Sequence, residues 1–129
     1  MLLRSLALLC VAFAVAYGGF TIGKTIDCEF SWYNDAGYGA CGTQINAETQ
    51  NLVAASYTYW TTPNPNNDPI CVNVCVQVNY NGKSVTVPVK DKCPSCQANK
   101  VDLSKPAFAA LANTDIGIGR GAKCTFVQC

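Results

Sequence analysis

Between positions 74 and 89 the chain alternates. Val74, Val76, Val78 and Tyr80 are separated by Cys75, Gln77 and Asn79, and beyond Asn81-Gly82 the residues Val85, Val87 and Val89 alternate back. A period of two on both sides of an Asn-Gly pair predicts a β-hairpin with a type I′ turn, whose positive φ angles Asn and Gly tolerate. Pro88 has no N–H to give to a ladder, so it is expected at an edge or a bulge. Shorter strands are predicted at 29–33, 52–57 and 123–127, each with β-branched or aromatic residues and turn formers nearby. One helical stretch stands out. Ser104 can cap it, Pro106 suits its first turn, Phe108, Leu111 and Ala112 share a face, and Asn113 ends it. The Pro/Asn stretch at 61–69 cannot join a ladder, and glycines at 117, 119 and 121 predict a second turning or mobile segment. No internal repeat or second domain is visible. The pattern describes a mainly β, loop-rich small barrel with one short helix.

The first residues follow a different pattern. Arg4 precedes an apolar run from 6 to 16, and small residues follow at Ala14, Ala16, Gly18 and Gly19. This predicts a signal peptide over 1–18, cut near 16–18, and a secreted, extracellular domain over 19–129. The apolar run is shorter than the roughly 20 residues that span a bilayer. Loss of the leader removes Cys10 and leaves an even set: Cys28, Cys41, Cys71, Cys75, Cys93, Cys96, Cys124 and Cys129. In a small secreted domain these are expected to form four disulfides, with a connectivity that spacing does not determine. Two other uses of the same cysteines were weighed. Cys71-x3-Cys75 with Cys93-x2-Cys96 approximates a four-thiolate zinc ribbon, and Cys93-Pro-Ser-Cys96 approximates a redox pair. An oxidising route and four further cysteines still in need of partners argue against the first, and the absence of a strand-to-helix and cytosolic context argues against the second.

Composition narrows the chemistry. The chain has 129 residues, is 50% hydrophobic and 13% charged, carries a formal charge of +1 and contains no histidine. Histidine triads, imidazole bases and histidine zinc sites are therefore excluded, and any catalysis must use carboxylates or thiols. Lys and Arg are scattered, so neither nucleic acid nor an anionic membrane is an expected partner. No metal or organic cofactor is implied, and a monomer is expected.

Several segments, in order, resemble a known family. Ser31-Trp32-Tyr33 followed by Gly39-Ala40-Cys41-Gly42, then Val89-Lys90-Asp91-Lys92-Cys93-Pro94-Ser95-Cys96, then Val101-Asp102-Leu103-Ser104 with Ala107-Phe108, are similar to motifs of RlpA-like, barwin-like and expansin-like domains. The ending CTFVQC from Cys124 to Cys129 resembles the last strand of barwin. The likeness spans 28–129. It implies a six-stranded double-psi β-barrel with a groove that in several members holds polysaccharide, and, by analogy with barwin, the pairs Cys41 with Cys71 and Cys75 with Cys129. Asp91 stands where RlpA-type lytic transglycosylases carry an acidic residue, and Asp102 where expansins carry the aspartate of His-Phe-Asp. That triplet reads Lys100-Val101-Asp102 here, and Ser56 stands roughly where a bacterial RlpA histidine is expected. Both histidine partners are missing.

The leading expectation is a secreted domain that binds carbohydrate or cell wall, non-catalytic or weakly catalytic. The enzyme alternative is a lytic transglycosylase or endoglucanase using Asp91 with Asp102 or Asp35, which requires carboxyls about 5 to 9.5 Å apart. A third class is a secreted protease inhibitor or defence effector with a protein target. Trp32, Tyr33, Tyr38 and Trp60 are the candidate sugar-stacking residues, within an aromatic set that includes Tyr57 and Tyr59. Trp60, leading into the polar loop, is expected to be the exposed one. In the purely structural alternative, Asp91 accepts backbone N–H groups in the psi loop, Asp102 helps cap the helix, and half of the aromatics fill the barrel.

Overall fold

The computed structural model of the protein describes the backbone of residues 15–17 and the whole of 19–129, so the expected leader falls mostly outside the described residues. The strands are β1 (Val15–Tyr17), β2 (Phe20–Ile22), β3 (Thr25–Tyr33), β4 (Ala36–Tyr38), β5 (Gln44–Asn46), β6 (Val53–Ser56), β7 (Val74–Tyr80), β8 (Lys83–Cys93), β9 (Lys100–Ser104) and β10 (Ile118–Gln128), with one helix, α1 (Lys105–Ala109). Six of them close a ring in the order β10, β3, β9, β6, β8, β7, and β7 pairs back onto β10. The β3/β9 and β6/β8 neighbours are parallel, and the other ring pairs are antiparallel. β2 is appended beside β10 and β1 beside β2, while β4 and β5 form a separate two-stranded ribbon. The mainly β, six-stranded, disulfide-tied barrel with one short helix is the expected architecture.

The period-two hairpin is β7 and β8. Asn81 at φ 48° and Gly82 at φ 80° make its turn, and Val74, Val76, Val78, Val87 and Val89 are buried on one side. Pro88 lies opposite Cys75, one residue before β8 acquires its second neighbour at Val89, where the β6 register shifts. Its missing N–H thus falls where the ladder is incomplete on one side. The barrel interior is filled by Phe30, Val53, Val76, Val78, Leu103 and Phe108 among others. Phe30 meets the rings of Tyr80 and Phe108 at centroid distances of 5.0 Å each.

Two local expectations are corrected. The glycine segment turns at Gly117, at φ 71° after the Thr114–Ile116 turn, but Gly119 and Gly121 lie within β10, at a register shift between Gly119 and Ala122. A Cβ on Gly119 would sit 2.2 Å from the Phe30 ring, so the missing side chain is the space the core aromatic occupies. The helix is also shorter than expected and Ser104 does not cap it through its side chain. Ser104 is fully buried, and its Oγ instead accepts the Leu52 N–H at 3.0 Å, a cross-connection that competes with capping. Asn113 caps the following turn, Thr114–Ile116, by accepting the Asp115 N–H.

The bridges are Cys28–Cys124, Cys41–Cys71, Cys75–Cys129 and Cys93–Cys96. The two pairs implied by the likeness to barwin are among them, and the thiols required by a zinc ribbon are engaged in disulfides. Among the described residues no helix is long and apolar enough to cross a membrane.

Candidate functional site

Three adjacent strands bring the candidate carboxylates to one outer face. In the register, Ala54 of β6 lies opposite Asp91 of β8 on one side and opposite Asp102 of β9 on the other. Two interstrand steps put their backbones roughly 10 Å apart. Val53 and Ala55 turn into the barrel, whereas Ala54 joins Cys93, Cys96 and the ring of Tyr33 outside it. Period-two alternation along β3 does the same: Phe30 points inward, and Ser31 and Tyr33 reach the outer face.

Asp91 is held by three donors. The Tyr33 hydroxyl donates to its Oδ2 at 3.0 Å, and the Ala40 and Lys92 N–H groups donate to Oδ1 at 2.9 Å each. Burial, then the charge of Asp91, pushes the Tyr33 hydroxyl far above its ordinary range, so it stays protonated and donating. Asp102 has one protein donor, the Ser31 hydroxyl at 3.0 Å on Oδ1. Burial raises its pKa above the ordinary aspartate value. Ser31 and Lys100 act against that rise, and Asp35 and Asp91 add to it. The two carboxyls therefore differ in kind: Asp91 is a bracket between loops, and Asp102 is a half-buried group with an affinity for its proton. The expected backbone-acceptor role of Asp91 is present. The expected helix-capping role of Asp102 is not, because its oxygen is turned to β3. Asp35 is exposed on the turn after β3, where its backbone carbonyl accepts the Ala47 N–H at 2.8 Å.

The four candidate aromatics do not form one platform. Trp32 follows Phe30 to the other side of β3, donates its Nε1–H to the Thr114 carbonyl at 3.0 Å and lies under the Lys105 ammonium at 5.7 Å. Trp60, expected to be exposed, is half-buried against the main core. Its Nε1–H reaches the Ala55 carbonyl at 3.4 Å, and Lys92 lies 5.8 Å from its ring. Tyr33 alone joins the carboxylates. Tyr38, at 77% exposure, is the residue that projects into solvent. Ser56 is buried and donates to the Cys96 carbonyl at 2.8 Å.

Tyr38 belongs to an irregular hairpin, β4 and β5, that lies against the end of β8. Gly39 N–H donates to the Thr43 carbonyl at 2.9 Å, and Cys41 N–H donates to the Lys90 carbonyl at 3.3 Å. A Cβ on Gly39 would stand 2.4 Å from the Lys90 oxygen. Cys41 is bridged to Cys71, the end of the Pro/Asn segment. That segment holds a residue that sequence reasoning missed. Asp68 is fully buried, with Oδ2 accepting from Thr61 N–H at 2.7 Å, Thr62 N–H at 2.9 Å and the Thr62 hydroxyl at 3.1 Å, and Oδ1 accepting from Ile70 N–H at 3.1 Å. Its signal was present as Asp-Pro before an apolar residue, the pattern of a capping aspartate with proline at the first turn position.

A family profile described as lytic transglycolase matches residues 25–122. A papain inhibitor from Streptomyces mobaraensis is 52% identical over 107 residues, covering 83% of this chain and 75% of that protein. The solved structure of a Streptomyces papain inhibitor superposes with a TM-score of 0.83 at 51% identity, over 84% of this chain and 99% of the other. An expansin from Clavibacter michiganensis, solved as a mutant in complex with cellohexaose, is similar in fold at a TM-score of 0.63 and 23% identity, over 81% of this chain and 51% of that one.

Proposed function

We infer that this chain, which belongs to the lytic transglycolase family of double-psi β-barrels, is a secreted inhibitor of papain-type cysteine proteases. The carrying observation is its 52% identity over 107 residues to the papain inhibitor of Streptomyces mobaraensis. The third function class raised by the sequence thereby moves ahead of glycan binding. Physical features agree with it. An inhibitor benefits from a scaffold that loses little conformational entropy on docking, and four disulfides across a closed six-stranded ring supply one. The family carboxylate, Asp91, is engaged by three internal donors and has no histidine beside it, which favours holding structure over proton transfer.

The test is an inhibition titration. Protein unfolded in denaturant, washed free of small molecules and refolded should abolish papain's hydrolysis of a peptide substrate at a defined molar ratio. Full protease activity in the presence of a large excess overturns the reading.

A second reading, glycan binding along the outer face, is supported by the grouping of Tyr33, Asp91 and Asp102. Retention on peptidoglycan, chitin or cellulose, with no sugar released, is its expected result. Sugar release that Asp91→Asn abolishes would assign catalysis instead.

A further inference from the structure

We propose that the hairpin of residues 36–46, with Tyr38 as its anchor, is the surface that enters the active-site cleft of a papain-type protease. This inference rests on the inhibitor reading above and deepens it by naming the contact.

Four observations converge on this hairpin. Tyr38 and Val72, at 77% and 69% exposure, are the two most exposed large hydrophobic side chains among the described residues. Tyr38 is three positions before Cys41, and Val72 immediately follows Cys71, so they flank the two ends of one disulfide. Large exposed aromatics on a fixed backbone are the usual anchors of a protein interface. Second, the stretch from 36 to 46 contains no charged residue. A neutral tip enters a narrow, water-excluding cleft without the cost of stripping water from ions.

Third, the hairpin is fixed from several directions before any partner arrives. The Asp91 carboxylate holds Ala40 N–H, the Lys90 carbonyl holds Cys41 N–H, Gly42 N–H donates to the Gly39 carbonyl at 2.9 Å, and Cys41 is bonded to Cys71. Such preorganisation lowers the ordering cost of binding, and a segment unable to relax is also a poor substrate. Fourth, β4 and β5 pair only with each other, and because the N–H and carbonyl of Asn46 at the end of β5 are already taken by Gln50 and Thr49, the edge open to strand addition is the outer edge of β4, which carries Tyr38. A cleft that receives an extended strand gains affinity from main-chain hydrogen bonds and selectivity from pockets that take alternate side chains. An uncharged two-stranded ribbon bearing one tyrosine is complementary to it. Asp91 in this proposal is a positioning residue for the ribbon.

The experiment compares inhibition constants against papain for the wild type, Tyr38→Ala, Tyr38→Phe and Ile116→Ala, an exposed apolar side chain outside the hairpin. Tyr38→Ala should weaken inhibition about 10- to 100-fold with an unchanged unfolding curve. Ile116→Ala should remain within about two-fold of wild type, the scale of a near-neutral surface change, and Tyr38→Phe, which keeps the ring, should fall between wild type and Tyr38→Ala. The wild-type complex should also protect the protease's catalytic thiol from alkylation by iodoacetamide. A wild type that inhibits while Tyr38→Ala inhibits equally, or a complex whose thiol alkylates at the free rate, overturns the hairpin assignment and leaves the inhibitor reading standing. A wild type that does not inhibit at all overturns both.

Discussion

The two irregular segments joined by the Cys41–Cys71 bridge are each organised around one aspartate, but in opposite ways. In the Pro/Asn segment, Asp68 gathers donors from Thr61, Thr62 and Ile70, all within seven positions of itself. In the hairpin, the organising carboxylate is Asp91, which comes from β8 and reaches Ala40 across 51 positions and Tyr33 across 58. A self-organised loop carries its shape in its own sequence. A loop held from outside takes its shape from the barrel, and shares the barrel's rigidity only while the bracket holds.

Removing the centre of the first segment should cost most. Asp68→Ala would leave four donors without their acceptor, the Ile70 N–H fully buried and the three from Thr61 and Thr62 part-buried, and a loss of about 3 to 5 kcal/mol in denaturant unfolding is expected. The pH dependence has a definite sign. Burial alone would raise the Asp68 pKa, yet its four hydrogen bonds together outweigh it and the net effect is a pKa below the ordinary value. The stabilisation is therefore present above the unfolded-chain value and lost as pH falls through the lower folded one, and Asp68→Asn should flatten that acid limb.

Cutting the connection between the segments comes next. Replacing Cys41 and Cys71 together by alanine opens a cross-link spanning 30 positions, for which chain entropy gives roughly 3 to 4 kcal/mol. If the comparison is right, amide exchange should then accelerate in 36–46 more than in 61–70, because Asp68 still organises its own loop. Equal acceleration in both would break the comparison. Asp91→Asn is a smaller intervention. It keeps an acceptor for Ala40 and Lys92 but disturbs the Tyr33 contact, so about 1 to 2 kcal/mol is expected, with faster exchange at Ala40. Asp102→Asn should have the smallest effect and the opposite sign. Its raised pKa means the folded state holds the proton more tightly, so the native carboxyl costs stability as pH rises through the folded value. The amide should leave acid stability unchanged and raise the melting temperature modestly at neutral pH.

Much of this arrangement was legible in the chain. The β7/β8 hairpin is written as alternating valines around Asn-Gly, and the motifs around Tyr33, Asp91 and Asp102 mark the three strands that meet beside Ala54. What escaped has physical causes. The start of β10 is written in glycines because Phe30 occupies the space above Gly119, so the tertiary packing erased the β signal. Ser104 carries the residue type of a cap but spends its hydroxyl on Leu52, a partner 52 positions away. Trp60 follows a buried strand into a polar loop, and only the fold shows that its ring lies back on the core. Tyr38 is named by the sequence as a candidate aromatic, but no periodicity distinguishes it from the other three, and its prominence comes from the bracket behind it.

β10 also sets when this molecule can exist. It is the strand that seals the ring, pairing with both β3 and β7; it carries Cys124 and is followed directly by Cys129, and these bond back across 96 and 54 positions. Until residues 118–129 have been synthesised, the emerging polypeptide has an open sheet and lacks the partners of Cys28 and Cys75. Closure over such separations is slow, of the millisecond-to-second kind seen in non-local β topologies. Sealing the ring and forming these two long-range bridges are therefore coupled, late steps of folding.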